Sequence, residues 1–146
     1  MLGIGDFYYE LGVKIVEVCL KLREQTGGLV DLKTLKSRLG QKVEDEDIIR
    51  AIDSLKPLGS GFAIIKVGNR KMVQSVPREM SSDTSALLEL ADASGHFSAD
   101  DAVNKLGWAP ERAKNALKLL IKEGLVWIDD QVKPREYWVP GLFAGI

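Results

Sequence analysis

The sequence predicts a mainly α protein with small β wings, an α+β fold made of two tandem winged-helix domains, residues 1–78 and 79–146. Three observations predict this fold. Apolar residues recur at helical spacing in six segments, two short strand-like segments follow each set of three, and the glycines that end corresponding segments are offset almost evenly. Three helices followed by a two-stranded wing is the winged-helix arrangement, a relative of the helix-turn-helix.

The first helix is predicted from Ile4 onwards, because apolar residues three, four and seven positions apart form one stripe, and Gly27-Gly28 ends it. The stripe consists of Phe7, Tyr8, Leu11, Ile15, Val18, Cys19 and Leu22. Cys19 is the only cysteine, so it cannot close an internal disulfide, and its place on the stripe predicts a buried thiol.

Two further helices complete the helical part of the first domain. Asp31 is the expected N-cap of the second helix, which Gly40 closes. The acidic run at residues 44–47 predicts the start of the third helix, because negative side chains are favourable at the positive N-terminal end of a helix dipole. Pro57 ends this helix.

A hairpin and a linker follow these helices. Residues 62–67 and 71–76 predict two strands, because apolar and β-branched residues flank the turn at 68–70. The proline and serine content of residues 75–82 is typical of a short linker, which separates the two predicted domains.

The second domain repeats this order. Its first helix ends at Gly95, Ser98 caps a second helix that Gly107 ends, and Pro110 fits the first turn of a third helix that finishes at Gly124. The predicted strands of its wing are residues 125–128 and 137–139.

The glycine offsets support two copies of one unit. The separation of Gly28 from Gly95 along the chain equals the separation of Gly40 from Gly107. Gly59 and Gly124, which follow the third helix of each copy, are separated by slightly fewer residues than the other two pairs. This difference indicates a small deletion in the second copy. Two copies of a small supersecondary unit fit tandem domains better than a single fold.

Composition and charge exclude several classes of protein. The chain is 45% hydrophobic and 28% charged, so it can bury a core. No apolar run approaches the ~18 residues of a membrane-spanning helix, which predicts a soluble, intracellular protein. The net charge of −1, from 20 basic and 21 acidic residues, gives no overall attraction to nucleic acid or to anionic membranes.

Catalytic chemistry has little support. There is no Walker-type loop, no His-Glu-x-x-His and no Cys-x-x-Cys. His96 is the only histidine; it follows Gly95, has Asp92 nearby, and is interpreted as a turn or surface residue. The sequence therefore predicts a protein that is not an enzyme and that carries no cofactor or metal.

Nucleic-acid binding is the alternative function. In the first domain, the exposed face of the third helix carries a charge of about −2, from Glu46, Asp47 and Asp53 against Arg50. This charge repels the phosphates that dominate affinity for DNA. Basic positions elsewhere keep this alternative open, although they are interpreted as ordinary solvated faces. They are Lys66, Arg70 and Lys71 in the first wing and Arg112, Lys114, Lys118 and Lys122 in the third helix of the second domain.

Aromatic residues are concentrated in the second domain, beside an acidic residue that could pair with a partner's arginine. The candidate interface residues are Trp108, Trp127, Asp129, Tyr137, Trp138 and Phe143. Consecutive strand residues point to opposite faces, so Tyr137 and Trp138 cannot both face the core. At least one is therefore a candidate surface anchor of a protein interface. The alternative is that some of these rings fill the small core, Trp127 first among them.

Several segments together resemble the Vps-twenty-two family of ESCRT-II subunits, and the resemblance covers nearly the whole chain. These segments are LGIGDFYYELG (2–12), IRAI (49–52), LGSGF (58–62), QSVP (74–77), LIKEGLVW (120–127) and YWVP (137–140). Family members carry a long N-terminal helical region before the Leu-Gly-x-Gly-Asp-Phe segment, so the chain is expected to be a fragment.

The resemblance implies a non-catalytic subunit of a Y-shaped complex that is recruited to the endosomal membrane and sorts ubiquitinated cargo into multivesicular bodies. In that family the subunit pairs with the Vps-thirty-six subunit at the base. Its second winged helix receives an aromatic and proline-rich N-terminal motif from a Vps-twenty-five subunit. The resemblance places the six candidate interface residues at or near this second contact.

Overall fold

A computed structural model describes residues 4–59 and 61–142, which form two successive units of similar order. The first unit consists of α1 (Ile4–Thr26), β1 (Leu29–Asp31), α2 (Leu32–Leu39), α3 (Asp45–Leu55), a 3-10 turn (Lys56–Leu58), β2 (Ala63–Val67) and β3 (Arg70–Gln74). The second unit consists of α4 (Ser82–Leu90), β4 (His96–Ser98), α5 (Ala99–Leu106), α6 (Pro110–Lys122), β5 (Trp127–Asp129), β6 (Glu136–Trp138) and a 3-10 turn (Pro140–Leu142). The predicted tandem winged-helix fold is confirmed.

Each wing has a third strand that the sequence analysis missed. The two sheets have the orders β1-β3-β2 and β4-β6-β5, and every pairing is antiparallel. The added strands, β1 and β4, have three residues each, too few to show an alternating pattern. His96, predicted in a turn, instead opens β4 and lies opposite Trp138.

The second helix of each unit begins at its predicted cap. The Asp31 carboxylate accepts a hydrogen bond from the Lys33 amide at 3.1 Å, and Ser98 forms a reciprocal capping box with Asp101. Glu44 and Asp47 form a second capping box at the start of α3. The acidic run therefore stabilises the start of this helix by hydrogen bonding as well as by its charge.

The core of the first unit lies between α1 and α3. Leu11, Ile15 and Cys19 on α1 are at most 1% exposed, and they pack with Ile48 and Ile52 of α3. The buried thiol predicted for Cys19 is confirmed. Burial raises the pKa of this thiol to about 12, so it stays protonated at neutral pH.

The core of the second unit extends into the first. Leu29 of β1 and Val67 and Met72 of the first wing pack in the same apolar cluster as Leu87 and Phe97. Apolar surface is thus removed from water across the boundary between the units, which stabilises their contact. The division into domains at residues 78 and 79 stays a prediction.

Arg70 ties the two units together by hydrogen bonds. Its guanidinium donates to Asp31 Oδ2 at 2.6 Å, to Asp92 Oδ1 at 2.7 Å, to the Asp92 carbonyl at 2.8 Å and to the Leu142 carbonyl at 3.0 Å. Asp31 belongs to the first unit, and Asp92 and Leu142 belong to the second. The interpretation of Arg70 as part of an ordinary solvated face was therefore wrong.

A second junction between the units is formed by Gly27, Arg78 and Gly124. The carbonyl oxygen and carbon of Gly124 lie so close to Gly27 that a Cβ there would be 2.5 Å from the oxygen. The Arg78 guanidinium donates to the Gly27 carbonyl, and its Nε lies 3.4 Å from a carboxylate oxygen of Glu123. Only 8% of the Arg78 side chain is exposed, and this burial lowers the pKa of its guanidinium.

Replacing Arg70 with alanine should lower the free energy of unfolding by about 2 kcal/mol, because two carboxylates and two carbonyls lose a charged donor. Urea denaturation measures this change. Lys71→Ala is the matched control, because Lys71 is the exposed neighbour on the same strand, and it should change stability by less than about 0.5 kcal/mol. Equal effects of the two substitutions would show that Arg70 does not hold the units together.

Gly27→Ala should destabilise the chain by at least about 1 kcal/mol more than Gly40→Ala, because it adds a steric clash to the same backbone strain. Both glycines are left-handed, with φ of 68° and 71°, but nothing lies within 4 Å of a Cβ at Gly40. Thermal and urea unfolding of the two variants provide the comparison. Similar losses would mean that the approach of Gly27 to Gly124 is not a close contact in solution.

Candidate protein-docking site

The outer face of the second wing carries a row of three ring side chains, one from each strand. Trp138 in the central strand β6 lies opposite His96 of β4 and opposite Trp127 of β5. Cross-strand partners share a face of the sheet, so the three rings lie side by side. The His96 and Trp138 ring centroids are 4.4 Å apart, and Trp127 is 49% exposed.

Two carboxylates lie on the same face, one step further along the strands. Asp129 and Glu136 are cross-strand partners, and each is two residues from a tryptophan of the row. Glu136 Oε2 is 3.4 Å from His96 Nδ1, whereas Asp129 Oδ1 accepts a hydrogen bond from the Gln131 amide at 2.9 Å. We call the group His96, Trp127, Asp129, Glu136 and Trp138 the outer wing face. It combines exposed indole surface with negative charge.

Tyr137 lies on the opposite face of the sheet. It stacks on Phe97 with ring centroids 5.8 Å apart and is only 8% exposed, so it belongs to the core. Trp138 is half-buried on the outer side. The prediction that these two neighbours point to opposite faces is confirmed.

The other candidate aromatics have different environments. Trp108 is 7% exposed in the core, where the Arg112 guanidinium lies 4.5 Å from its ring centroid. Trp127 does not fill the core, which was the alternative to a place in the interface, because β5 is an edge strand and leaves the indole half exposed. Phe143 lies outside the described residues.

Several of the basic residues on the candidate DNA-binding elements have partners within the chain. Arg70 is bound at the junction, and Arg112 donates two hydrogen bonds to the Asp83 carboxylate, at 2.8 and 3.1 Å. The Asp83 interaction raises the pKa of the Arg112 guanidinium. On α3 the basic Arg50 pairs with Glu46 at 2.7 Å, and the first turn of that helix is acidic. These pairings reduce the cationic surface available to phosphates.

Residues 4–59 and 61–142 contain neither a metal-binding cluster nor a membrane-spanning helix. No three side chains among His, Cys, Asp and Glu come together in a way that could hold a metal ion. Within the same residues, no helix has the length and apolar character needed to cross a bilayer.

These observations define a tandem winged-helix protein whose second wing has an aromatic and acidic outer face. The EAP30/Vps36 family model matches residues 2–130, and the chain belongs to this family.

Individual relatives and solved structures agree with this assignment. The chain is 48% identical to "Vacuolar-sorting protein SNF8" of Xenopus tropicalis and 46% identical to that of Homo sapiens, and each match covers 100% of this chain and 60% of the relative. It is 44% identical to "Vacuolar protein sorting-associated protein 22 homolog 1" of Arabidopsis thaliana, over 96% of this chain and 60% of the relative. The chain thus spans about 60% of the length of these relatives.

The fold is similar to that of a chain in the structure of the ESCRT-II endosomal trafficking complex. The TM-score is 0.86 and the identity 33%, over 97% of this chain and 67% of that chain. A chain in the crystal structure of the endosomal complex ESCRT-II (VPS22/VPS25/VPS36) gives a TM-score of 0.82 with 32% identity and the same coverage.

His96 and Glu136 were not among the predicted interface residues, although both belong to the outer wing face. They are far apart in the chain and come together only through the pairing of β4 with β6. No local pattern marks a three-residue strand, so the strand register was the only signal that could have found them.

Collisional quenching by acrylamide should act mainly on Trp127, because it is 49% exposed and Trp108 is 7% exposed. Trp127→Phe is expected to remove most of the quenchable fluorescence of the folded chain, whereas Trp138→Phe should remove less. A quenching constant that Trp127→Phe leaves unchanged would show that this indole is covered in solution.

Proposed function

We propose that this chain is the winged-helix part of a non-catalytic scaffold subunit of ESCRT-II. In this role it docks other ESCRT-II subunits, of the Vps-thirty-six and Vps-twenty-five types, for endosomal sorting of ubiquitinated cargo into multivesicular bodies. Membership of the EAP30/Vps36 family and the likeness to chains of two ESCRT-II structures support this proposal. The expected location is cytoplasmic, with peripheral recruitment to the endosomal membrane.

The observation that carries the proposal is the tryptophan row, with Trp127 exposed and Trp138 half-buried, beside two carboxylates on the outer wing face. Tryptophan contributes large apolar area with little loss of rotamer freedom, and it is enriched among the residues that dominate interface affinity. Trp127 has 49% of its surface available for burial by a partner. Asp129 and Glu136 provide acceptors for an arginine at the edge of that contact.

Trp108 and Tyr137 have an indirect role in this interface, unlike Trp127 and Trp138. Both side chains are buried, so we propose that they support the docking face from the core. Tyr137 is the core-facing neighbour of Trp138 on β6 and stacks on Phe97. Phe97 in turn precedes the Ser98 cap of α5, so these rings fix the sheet from which Trp138 projects.

A scaffold subunit needs its docking surfaces to keep fixed positions relative to one another. The shared core and the Arg70 hydrogen bonds hold the first unit against the second, so the outer wing face has a defined position relative to α1 and α3. No catalytic residue and no cofactor is proposed. The imidazole of His96 contacts the Glu136 carboxylate and the Trp138 ring. These contacts explain its position on the sheet without a catalytic role.

Substitutions on the outer wing face should weaken the complex with the Vps-twenty-five-type subunit. We expect Trp127→Ala and Trp138→Ala each to lower the affinity about tenfold or more, because they remove anchor area at the centre of the contact. Asp129→Lys should weaken it as well, by charge reversal beside a partner arginine. Co-expression followed by calorimetric titration of the purified components measures these effects.

The matched control is Tyr9→Ala, which removes an aromatic ring of similar exposure, 54%, from α1 of the first unit. It should leave this affinity unchanged. Melting temperatures close to that of the unmodified chain establish that each variant is folded. Unchanged binding by all three outer-face variants would remove this face from the interface, and the alternative of nucleic-acid binding would be supported by a salt-dependent affinity for duplex DNA.

A further inference from the structure

A groove of about 470 Å³ lies between α5 and α6 and is separate from the outer wing face. Val103 of α5 and Leu117 and Ile121 of α6 provide its apolar surface. Tyr137 lines it from the face of the sheet opposite to Trp138. The volume is within the range of binding sites in proteins, and Ile121 is 41% exposed although it is a large apolar residue.

One wall of the groove is cationic. Lys114 and Lys118 are exposed, lie one helical turn apart on α6, and line the groove beside Leu117 and Ile121. Over residues 4–59 and 61–142, neither lysine has a carboxylate at ion-pair distance. Among the described residues, the only acidic side chain lining the groove is Asp100, on the α5 side. The wall of α6 therefore offers two uncompensated positive charges next to an apolar strip.

Arg135 lines the groove as well but is already engaged. Hydrogen bonding to Tyr137 and the charge of Asp130 raise the pKa of its guanidinium, and Arg135 pairs with the Asp130 carboxylate. The wing thereby places Arg135 and Tyr137 beside the two helices. This arrangement leaves Lys114 and Lys118 as the charges available to an occupant.

The walls of the groove favour a helical occupant over an added β-strand. A peptide that binds as an added strand needs the unpaired backbone groups of a sheet edge, but α5 and α6 use their backbone groups within their own helices. A helical occupant satisfies its own backbone hydrogen bonds and presents only side chains. From Pro110 to Ile121 the groove extends roughly 16 Å along α6, which is the length of about three helical turns.

We propose that this groove binds an acidic amphipathic helix of a partner protein. Apolar residues of that helix, spaced at three, four and seven positions, would lie on Val103, Leu117 and Ile121. Glutamates or aspartates along one flank would face Lys114 and Lys118. The inference goes beyond the proposed function, because it adds a second docking surface that uses none of the residues of the outer wing face.

The test uses a fluorescein-labelled, alanine-rich peptide of about 16 residues, with a leucine stripe at this spacing and glutamates along one flank. A second peptide has the same stripe with lysines in place of the glutamates. Fluorescence anisotropy measures the affinity of each for the chain, and amide chemical shifts locate the contact. The acidic peptide should bind and shift amides of α5 and α6, and the basic peptide should bind at least about fivefold more weakly.

Variants of α6 assign this binding to the groove. Lys118→Glu should weaken the acidic peptide about fivefold or more by charge reversal, and Ile121→Glu should weaken it about tenfold by removing the apolar contact. Lys122→Glu is the matched control, because Lys122 is an exposed lysine of the same helix that does not line the groove, and it should have little effect.

Several results would overturn the proposal. They are equal binding of the acidic and basic peptides, amide shifts confined to residues outside α5 and α6, and equal losses with Lys118→Glu and Lys122→Glu. Tighter binding of duplex DNA or of phosphatidylserine vesicles that Lys118→Glu abolishes would assign the lysines to a different ligand. Trp138→Ala should still bind the acidic peptide, and Lys118→Glu should still bind the Vps-twenty-five-type subunit. Failure of the groove proposal can therefore be distinguished from failure of the proposed function.

Discussion

The guanidinium of Arg70 is the contact on which the relation between the two units depends. It is held by Asp31 of the first unit and by Asp92 and the Leu142 carbonyl of the second, with all four donor–acceptor distances at or below 3.0 Å. Arginine suits this position because its planar fork can serve several acceptors at once and stays charged. Asp31 also caps α2, so the same carboxylate fixes a helix start and the junction.

The apolar contact beneath Arg70 makes the junction more than a single ion pair. Leu29, Val67 and Met72 of the first unit pack in the core of the second, and Gly141 approaches Leu29 so closely that a Cβ there would overlap the Leu29 carbonyl oxygen. Partly exposed ion pairs contribute modestly to stability, whereas burial of apolar surface contributes in proportion to its area. The packing therefore provides most of the stabilisation, and the Arg70 hydrogen bonds give the contact its orientation.

The second wing separates two surfaces of the second unit, the outer wing face and the groove of α5 and α6. Because side chains alternate along a strand, Trp138 projects outward with Trp127 and His96, while Tyr137 lies between the core and the groove of α5 and α6. A winged helix that binds DNA uses its third helix as the cationic reading element. Here α3 is acidic in its first turn, and on α6 Arg112 is bound to Asp83. The acidic start of α3 and the pairing of Arg112 thus reduce the attraction of these two helices for phosphates, and the fold alone does not make the chain a DNA-binding protein.

The sequence by itself determined the local structure, and only the tertiary structure decided which surfaces exist. The caps at Asp31 and Ser98, the left-handed end at Gly107 and the stripe containing Cys19 could all be read from the sequence, because each rests on interactions within a few residues. The strands β1 and β4, the partners of Arg70 and the row formed by Trp127 and Trp138 could not. They depend on contacts between residues distant in the chain, and the spacing of residues along the chain carries no signal for such pairings.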